Sequence, residues 1–265
     1  MTSVEQAVFL GLLQGITEFL PVSSSGHLIF VPLLLGWEDQ GLAFDVVVHL
    51  GTLLAVVFYF RGKLSLMTRA VLSRNETLAG EKRLAFLALA SLLPAALFAL
   101  LVKDFVETEG RNALLVGFNL VLWGVLLWLA DWKARHKREL RDLNLRDALF
   151  IGVFQALSII PGTSRSGATM TAGLFSGLKR KDAAEFSFLM GVPAIAAAGA
   201  LKVGELLALG TALPFGVFAA GFAGAAFGGF IAIGFLMKAI QNWSFAPFAV
   251  YRIAVGVLAL LFLAR

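Results

Sequence analysis

The chain has 265 residues, 59% of them apolar and only 15% charged, with a mean hydropathy of +0.85. A soluble domain is nearer half apolar and a quarter charged, so the composition excludes one and points to an integral membrane protein. With no cysteine there is no disulfide or thiolate chemistry, three histidines without a Cys/His cluster argue against zinc, and the net charge of +5 sits in loops beside apolar segments, where topology and lipid headgroups account for it without nucleic acid.

The N-terminus lacks the basic region and small-residue cleavage site of a removable signal peptide. Glu5 and Glu18 flank and interrupt its apolar stretch, so it reads as part of the mature protein. About 20 apolar residues are needed to cross a bilayer. Segments 4–20 and 28–35 are too short and flank a polar break, so they are predicted to form a re-entrant helix hairpin that turns near the midplane. Three predicted spans follow, at 42–60, 84–102 and 113–130. Segments 148–160 and 168–178 flank a second polar break and read as a second hairpin, and the last three spans are predicted at 183–201, 213–237 and 245–264. The Gly- and Ala-rich composition of 213–237 points to close helix packing.

Charge orients this map. Residues 61–83 carry Arg61, Lys63, Arg69, Arg74, Lys82 and Arg83, and residues 131–147 carry Lys133, Arg135, Lys137, Arg138, Arg141 and Arg146. Both are predicted to be cytoplasmic. The loop 103–112, with Lys103 and Arg111 against Asp104, Glu107 and Glu109, suits the outer face, and Lys179, Arg180, Lys181 and Lys238 fall inside. The first hairpin then opens outward and the second inward, with both termini outside. The predicted fold is an all-α polytopic membrane protein: one integral membrane domain over 1–265, six transmembrane helices and two opposed re-entrant hairpins. Its inverted-topology repeats cover about 4–130 and 148–265.

The two breaks resemble each other. Displaced by 141 positions, Phe9, Gly11, Gln14, Ser23, Ser25 and Gly26 fall on Phe150, Gly152, Gln155, Ser164, Ser166 and Gly167. Ionisable groups at membrane depth are costly and mark function. Glu18 lies one turn after Gln14 on the same helix face, and Pro21 ends that helix. Ser23, Ser24, Ser25, Gly26 and His27 follow, offering hydroxyls and free N–H groups to an anion at a helix start; one serine serves simply as the cap. The second break supplies Thr163, Ser164, Arg165 and Ser166, and an Arg fork matches phosphate. Arg165 either meets a substrate anion or pairs with Glu18 to pin the hairpins together.

Around this set, Asp45 and His49 share a helix face as outer-mouth or supporting residues, and Arg252 is expected to snorkel from the inner end of the last span. Glu185 is expected to pair with Lys179 or Lys181, and Asp131 and Trp132 to anchor at the interface. A carboxylate, a histidine, a serine cluster and an arginine suit phosphoryl transfer, and no Walker-type motif for nucleotide hydrolysis is present. Ser24 is expected to attack with His27 as its acid/base partner; direct attack by His27, or by a metal-bound water, stays open. Glu18 would serve as a metal ligand or tune His27. An anion transporter, also built on inverted repeats, is the rival class, and Ser24 and His27 are what a pure carrier does not need.

Gln14-Gly-Ile-Thr-Glu18 with the following Ser-Ser-Ser-Gly-His27, and Pro161-Gly-Thr-Ser-Arg-Ser-Gly-Ala-Thr169, resemble over essentially the full chain the bacterial undecaprenyl-diphosphate phosphatases of the bacitracin-resistance family. The resemblance implies hydrolysis of the lipid-carrier diphosphate to the monophosphate plus inorganic phosphate. It implies catalytic weight on Glu18, Ser24, His27 and Arg165, and substrate contacts from Gln14, Ser23, Ser25, Thr163, Ser164 and Ser166. A divalent cation (Mg2+ or Ca2+) is implied, with Glu18 as ligand. Gln14 stands where a second Glu is frequent in the family, so a two-carboxylate metal scheme does not carry over. The resemblance further implies the bacterial cytoplasmic (inner) membrane, a site facing the periplasm or outside, bacitracin as a competitor for the polyprenyl diphosphate, and room for a homodimer.

Overall fold

The computed structural model describes residues 3–73, 75–109, 112–208 and 215–263. Arg74, Arg111, the predicted span ends at 213 and 264, the chain termini, and the side chains of Lys103, Asp104, Glu107 and Glu109 lie outside this description. The described residues are all-helical: α1 (Val4–Phe19), α2 (Ser24–Leu35), α3 (Gly41–Tyr59), α4 (Arg61–Leu72), α5 (Ala79–Ala90), α6 (Leu92–Glu109), α7 (Ala113–Lys133), α8 (Leu145–Leu157), α9 (Arg165–Phe175), α10 (Arg180–Ala208), α11 (Phe215–Ala239) and α12 (Ala246–Leu263). Among the described residues six stretches are long and apolar enough to cross a membrane: α3, residues 76–102, α7, α10, α11 and α12.

Two elements differ from the sequence expectation. The span predicted at 84–102 is broken at Ser91 into α5 and α6. Pro94 lacks an N–H and its ring crowds the carbonyl four residues back, so the helix cannot run straight through. The basic segment 61–83, read as a loop, contains the amphipathic helix α4, which buries Met67 and Ala70, exposes Arg61 and Arg69 and keeps Lys63 partly covered.

The breaks form because proline stops the incoming helix. Leu20, preceding Pro21, is extended at φ −70 and ψ 142, the conformation a following proline favours. The next helix restarts from a serine in an uncommon conformation. Ser23 has φ 75 and Ser164 has φ 71, a region costing a non-glycine residue of order 1–3 kcal/mol. Each holds that posture as an N-cap: Ser23 Oγ accepts from Gly26 N and Ser164 Oγ from Gly167 N. The displacement of 141 carries the starts of α1 and α2 onto the starts of α8 and α9, at Leu145 and Arg165.

Between helices that lie in lipid, van der Waals fit replaces the hydrophobic drive. Accordingly α1 lies along α11 on small residues. A Cβ on Gly15 would stand 2.5 Å from Ala225 O, one on Gly224 2.9 Å from Val8 O, and one on Gly228 2.9 Å from Leu12 O. Likewise α3 packs on α11, α7 on α12, α8 on α6, and α10 on both α3 and α9. At one end of the bundle Arg138 clasps the loop, donating to both Asp147 carboxylate oxygens (3.0 and 2.5 Å) and to Ser176 O (2.7 Å). The exposed Lys179 Nζ donates to Glu139 and holds its carboxyl below the usual carboxylate range.

Asp131 corrects an expectation. Instead of anchoring at the interface it is buried, accepting from Arg180 Nε (2.6 Å) and Phe245 N (2.8 Å), and so ties α7 to α10 and to the start of α12. Glu185 faces Lys63 at 3.8 Å rather than Lys179 or Lys181. Gly15→Ala is expected to cost about 2 kcal/mol or more by overpacking the α1–α11 contact. Gly62→Ala, where nothing lies within 4 Å, is expected to be neutral or stabilising by up to about 1 kcal/mol. Thermal melts of the detergent-purified proteins check the contrast.

Candidate active site

The breaks meet each other inside the bundle. Ser166 Oγ donates to Glu18 O (2.9 Å) and Leu20 O (3.2 Å), so the second break satisfies the Glu18 carbonyl, whose helical partner Val22 N turns to Leu20 O instead. Gly162 N donates back to Ser25 Oγ (3.4 Å). Asn119 on α7 donates to Pro161 O (2.8 Å). Non-helical backbone is tolerated at such depth only when so covered.

Glu18, with 7% of its surface exposed, is the hub. Its Oε2 accepts from Ser24 Oγ at 2.7 Å and Gln14 Nε2 at 3.1 Å, and its Oε1 accepts from Arg165 Nη2 at 3.2 Å. His49 Nε2 stands 3.7 Å from Oε2, which places this residue beside the carboxylate, while its Nδ1 faces Asp45 O at 2.6 Å. Asp45 turns away and accepts from Gln40 Nε2. The internal Arg165–Glu18 pair is therefore formed. The rest of the Arg165 fork donates to Ser187 O (3.0 Å), and its Nε has no partner. Gly191 leaves room for this guanidinium: a Cβ there would overlap it.

The expected Ser24–His27 pair is not formed. His27 Nδ1 faces Ser23 O at 2.7 Å and Nε2 faces Tyr251 Oη at 2.8 Å. Only a donor can face a carbonyl, so Nδ1 carries a proton, and in the neutral ring Nε2 accepts from the Tyr251 hydroxyl. Both nitrogens are engaged, and the Ser24 hydroxyl points to a carboxylate instead. The cause is the helical start itself: one turn apart on α2, the His27 ring closes back on the carbonyl of Ser23.

The predicted substrate-contact residues divide. Ser23 and Ser164 are helix caps, Ser166 is the lock between the breaks, and Ser25 receives Gly162 N. Two buried atoms there have no partner: Gln14 Oε1 and Thr163 Oγ1. Sequence reasoning missed Tyr251, Ser187 and Asn119, which carry no motif. It misread Arg252, which is fully buried and not snorkelling. The rule that ionisable groups at membrane depth are functional would have found it. Among the described residues no group of three His, Asp or Glu gathers as a metal cluster.

A hydroxyl on a carboxylate, with an unsaturated Arg fork beside it, is an arrangement for moving a phosphoryl group. The comparisons agree. A family profile described as "Bacitracin resistance protein BacA" matches residues 7–258. The chain belongs to this family. Among its relatives, "Undecaprenyl-diphosphatase 2" of Stutzerimonas stutzeri is 45% identical over 96% of both chains. The "Undecaprenyl-diphosphatase" of Alcanivorax borkumensis is 43% identical over 98% of both. That of Nitrosococcus oceani is 46% identical over 94% of this chain and 95% of its own. Removing the Ser166 hydroxyl strands the Glu18 carbonyl at the heart of a membrane bundle, while Leu20 O keeps Val22 N, so Ser166→Ala is expected to lower stability by about 1–3 kcal/mol. A melting point within error of the unsubstituted protein would show that the lock is dispensable.

Proposed function

We propose that this chain is a membrane-embedded hydrolase that converts undecaprenyl diphosphate to undecaprenyl phosphate and inorganic phosphate, recycling the lipid carrier of cell-wall synthesis. The observation that carries this reading is the Ser24 Oγ–Glu18 Oε2 hydrogen bond of 2.7 Å with Arg165 on the opposite carboxylate oxygen. The family and its relatives' names supply the substrate class.

In this reading the terminal phosphate takes the free donors of Arg165 and, near it, the Thr163 hydroxyl. Ser24 Oγ, its proton passing to Glu18, attacks the terminal phosphorus. The bond to the bridging oxygen breaks, and undecaprenyl phosphate leaves with that oxygen. Glu18 returns that proton to the departing phosphate, and the phosphoserine is then hydrolysed by a water whose proton the freed carboxylate takes and hands to Ser24 Oγ as the phosphorus–Oγ bond breaks, releasing phosphate. His27, fixed by Ser23 O and Tyr251, shapes the turn on which Ser24 sits instead of taking its proton. A Mg2+ or Ca2+ ion takes oxygen ligands, and Glu18 together with the unpartnered Gln14 Oε1 fits two of them, leaving the rest to diphosphate oxygens and water. Such an ion would neutralise charge on the phosphates during transfer.

The same reading makes the α1–α2 and α8–α9 pairs re-entrant hairpins of an inverted repeat within one membrane domain. It rests on their shortness, on the shared 141-residue displacement, and on the exchange of partners in which α1 packs on α11 and α8 on α6. The reading sets the chain in the cytoplasmic membrane, and the Lys/Arg bias supports the orientation in which the first hairpin opens outward, where a flipped-out lipid diphosphate is available. Bacitracin competes for that lipid, and a homodimer belongs to the same reading.

Phosphate release from undecaprenyl diphosphate by the purified protein tests the reading, and no release would end it. Glu18→Gln, which keeps the shape but not the charge, is expected to lower turnover by about 10³-fold or more, and Gln14→Ala by about tenfold. The reverse order would show the two roles misassigned. Rapid-quench trapping should find acid-stable phosphate on Ser24, and retained turnover in Ser24→Ala would leave water as the attacking group. Cysteines placed singly at Glu38 and Lys137 check the topology: an impermeant reagent should label the first from outside intact cells and the second only after permeabilisation.

A further inference from the structure

Arg252 on α12 is fully buried, and its guanidinium is surrounded by carbonyls. Nε donates to Leu120 O at 3.2 Å, Nη1 to Pro21 O at 3.4 Å, and Nη2 to Gly162 O at 3.0 Å and Thr163 O at 2.9 Å. Three of these four carbonyls belong to the breaks, one in the first and two in the second. The space for the side chain is built in. A Cβ on Gly167, at the start of α9, would stand 2.7 Å from Nη1, and one on Gly124 of α7 would stand 3.0 Å from Cγ.

The charge account is one-sided. Arg165 has Glu18 as counter-ion, but Arg252 makes no ion pair with any carboxylate among the described residues. An arginine cannot shed its proton to escape burial. Carbonyl dipoles offset part of the desolvation, and a buried cation without a counter-ion remains costly. Glu18, the carboxylate of the site, is taken by Arg165 with His49 beside it, so the Arg252 charge is left without a carboxylate directly behind the two turns that carry Ser24 and Arg165.

We propose that Arg252 is a positioning residue for the reaction, which locks the two breaks in register through their carbonyls and gives the site a permanent positive charge whose counter-ion is the substrate's diphosphate. It does not touch the substrate; it acts through the turns and through its field. This rests on the diphosphatase reading and adds to it a third helix, α12, as part of the site. Two effects follow and they separate. The charge sets how tightly an anion is held. The fork, which spans both breaks, sets how well Ser24 and Arg165 are aligned during turnover.

The experiment compares Arg252→Lys and Arg252→Gln in the full-length purified protein, measuring kcat and KM with undecaprenyl diphosphate and inhibition by inorganic pyrophosphate. Arg252→Lys keeps the charge and loses the fork: KM and the pyrophosphate inhibition constant are expected to stay within about threefold while kcat falls by about tenfold or more. Arg252→Gln keeps a donor and loses the charge: both constants for the anion are expected to rise about tenfold or more. A folded Arg252→Gln protein with an unchanged inhibition constant would overturn the proposal. Should Arg252→Gln fail to fold, Arg252→Lys decides, because an unchanged kcat there would overturn it and a reduced kcat at unchanged KM would sustain it. No phosphate release by the unsubstituted protein would mark failure of the diphosphatase reading itself, a different outcome from either variant behaving as the parent.

Discussion

A peptide turn inside an apolar bundle has no water to satisfy it, and this constraint organises the rest of the molecule. Pro21 stops α1, α8 ends at Leu157 ahead of the turn that carries Pro161, and both turns leave carbonyls without intrahelical partners. The partners come from the opposite break and from α7 and α12: Ser166 on the carbonyls of Glu18 and Leu20, Asn119 on that of Pro161, Arg252 on those of Pro21, Gly162 and Thr163. The groups that keep the breaks stable are neighbours of the groups that do the chemistry. Stability and reactivity are therefore coupled at this site, and variants there need a folding control.

The two breaks share a local structure but not their chemical groups. Both breaks keep the positive-φ serine, the cap onto the glycine three residues on, and the serine pair 3.3 Å apart. The 141-residue displacement takes Ser24 onto Arg165, Glu18 onto Ile159 and His27 onto Ala168. One break thus holds the Ser24 hydroxyl and the Glu18 carboxylate, and the other holds the arginine that meets them. Gln155 records the divergence. Its counterpart Gln14 donates to Glu18, whereas Gln155, with Ile159 in that place, is buried with neither amide atom partnered.

Much of the architecture was legible in the chain because the bilayer imposes simple rules. Segment length, apolar runs and prolines located the short helices and the long spans, though α6 and α10 each run seven residues past the predicted ends at 102 and 201. They failed where a local signal was overridden or overlooked: Pro94 breaks the span at Ser91, and α4 folds as an amphipathic helix inside a segment read only for its charge. The membership of Glu18, Ser24 and Arg165 in one site was also legible, since a carboxylate and an arginine at membrane depth each require the other or a ligand.

What the sequence by itself determined is the set of chemical groups and the two breaks that carry them, because residue type, proline and helix length are local properties. Only the tertiary structure decided who pairs with whom. Ser24 went to Glu18 and not to His27, because the His27 ring closes onto the Ser23 carbonyl while Tyr251 arrives from a helix 224 positions away. Arg252 became a buried clamp and not a snorkelling cation, because glycines on α7 and α9 leave room for its guanidinium. Hydrogen-bond partners across the bundle depend on which backbones approach, and that is set by packing between elements far apart in the chain.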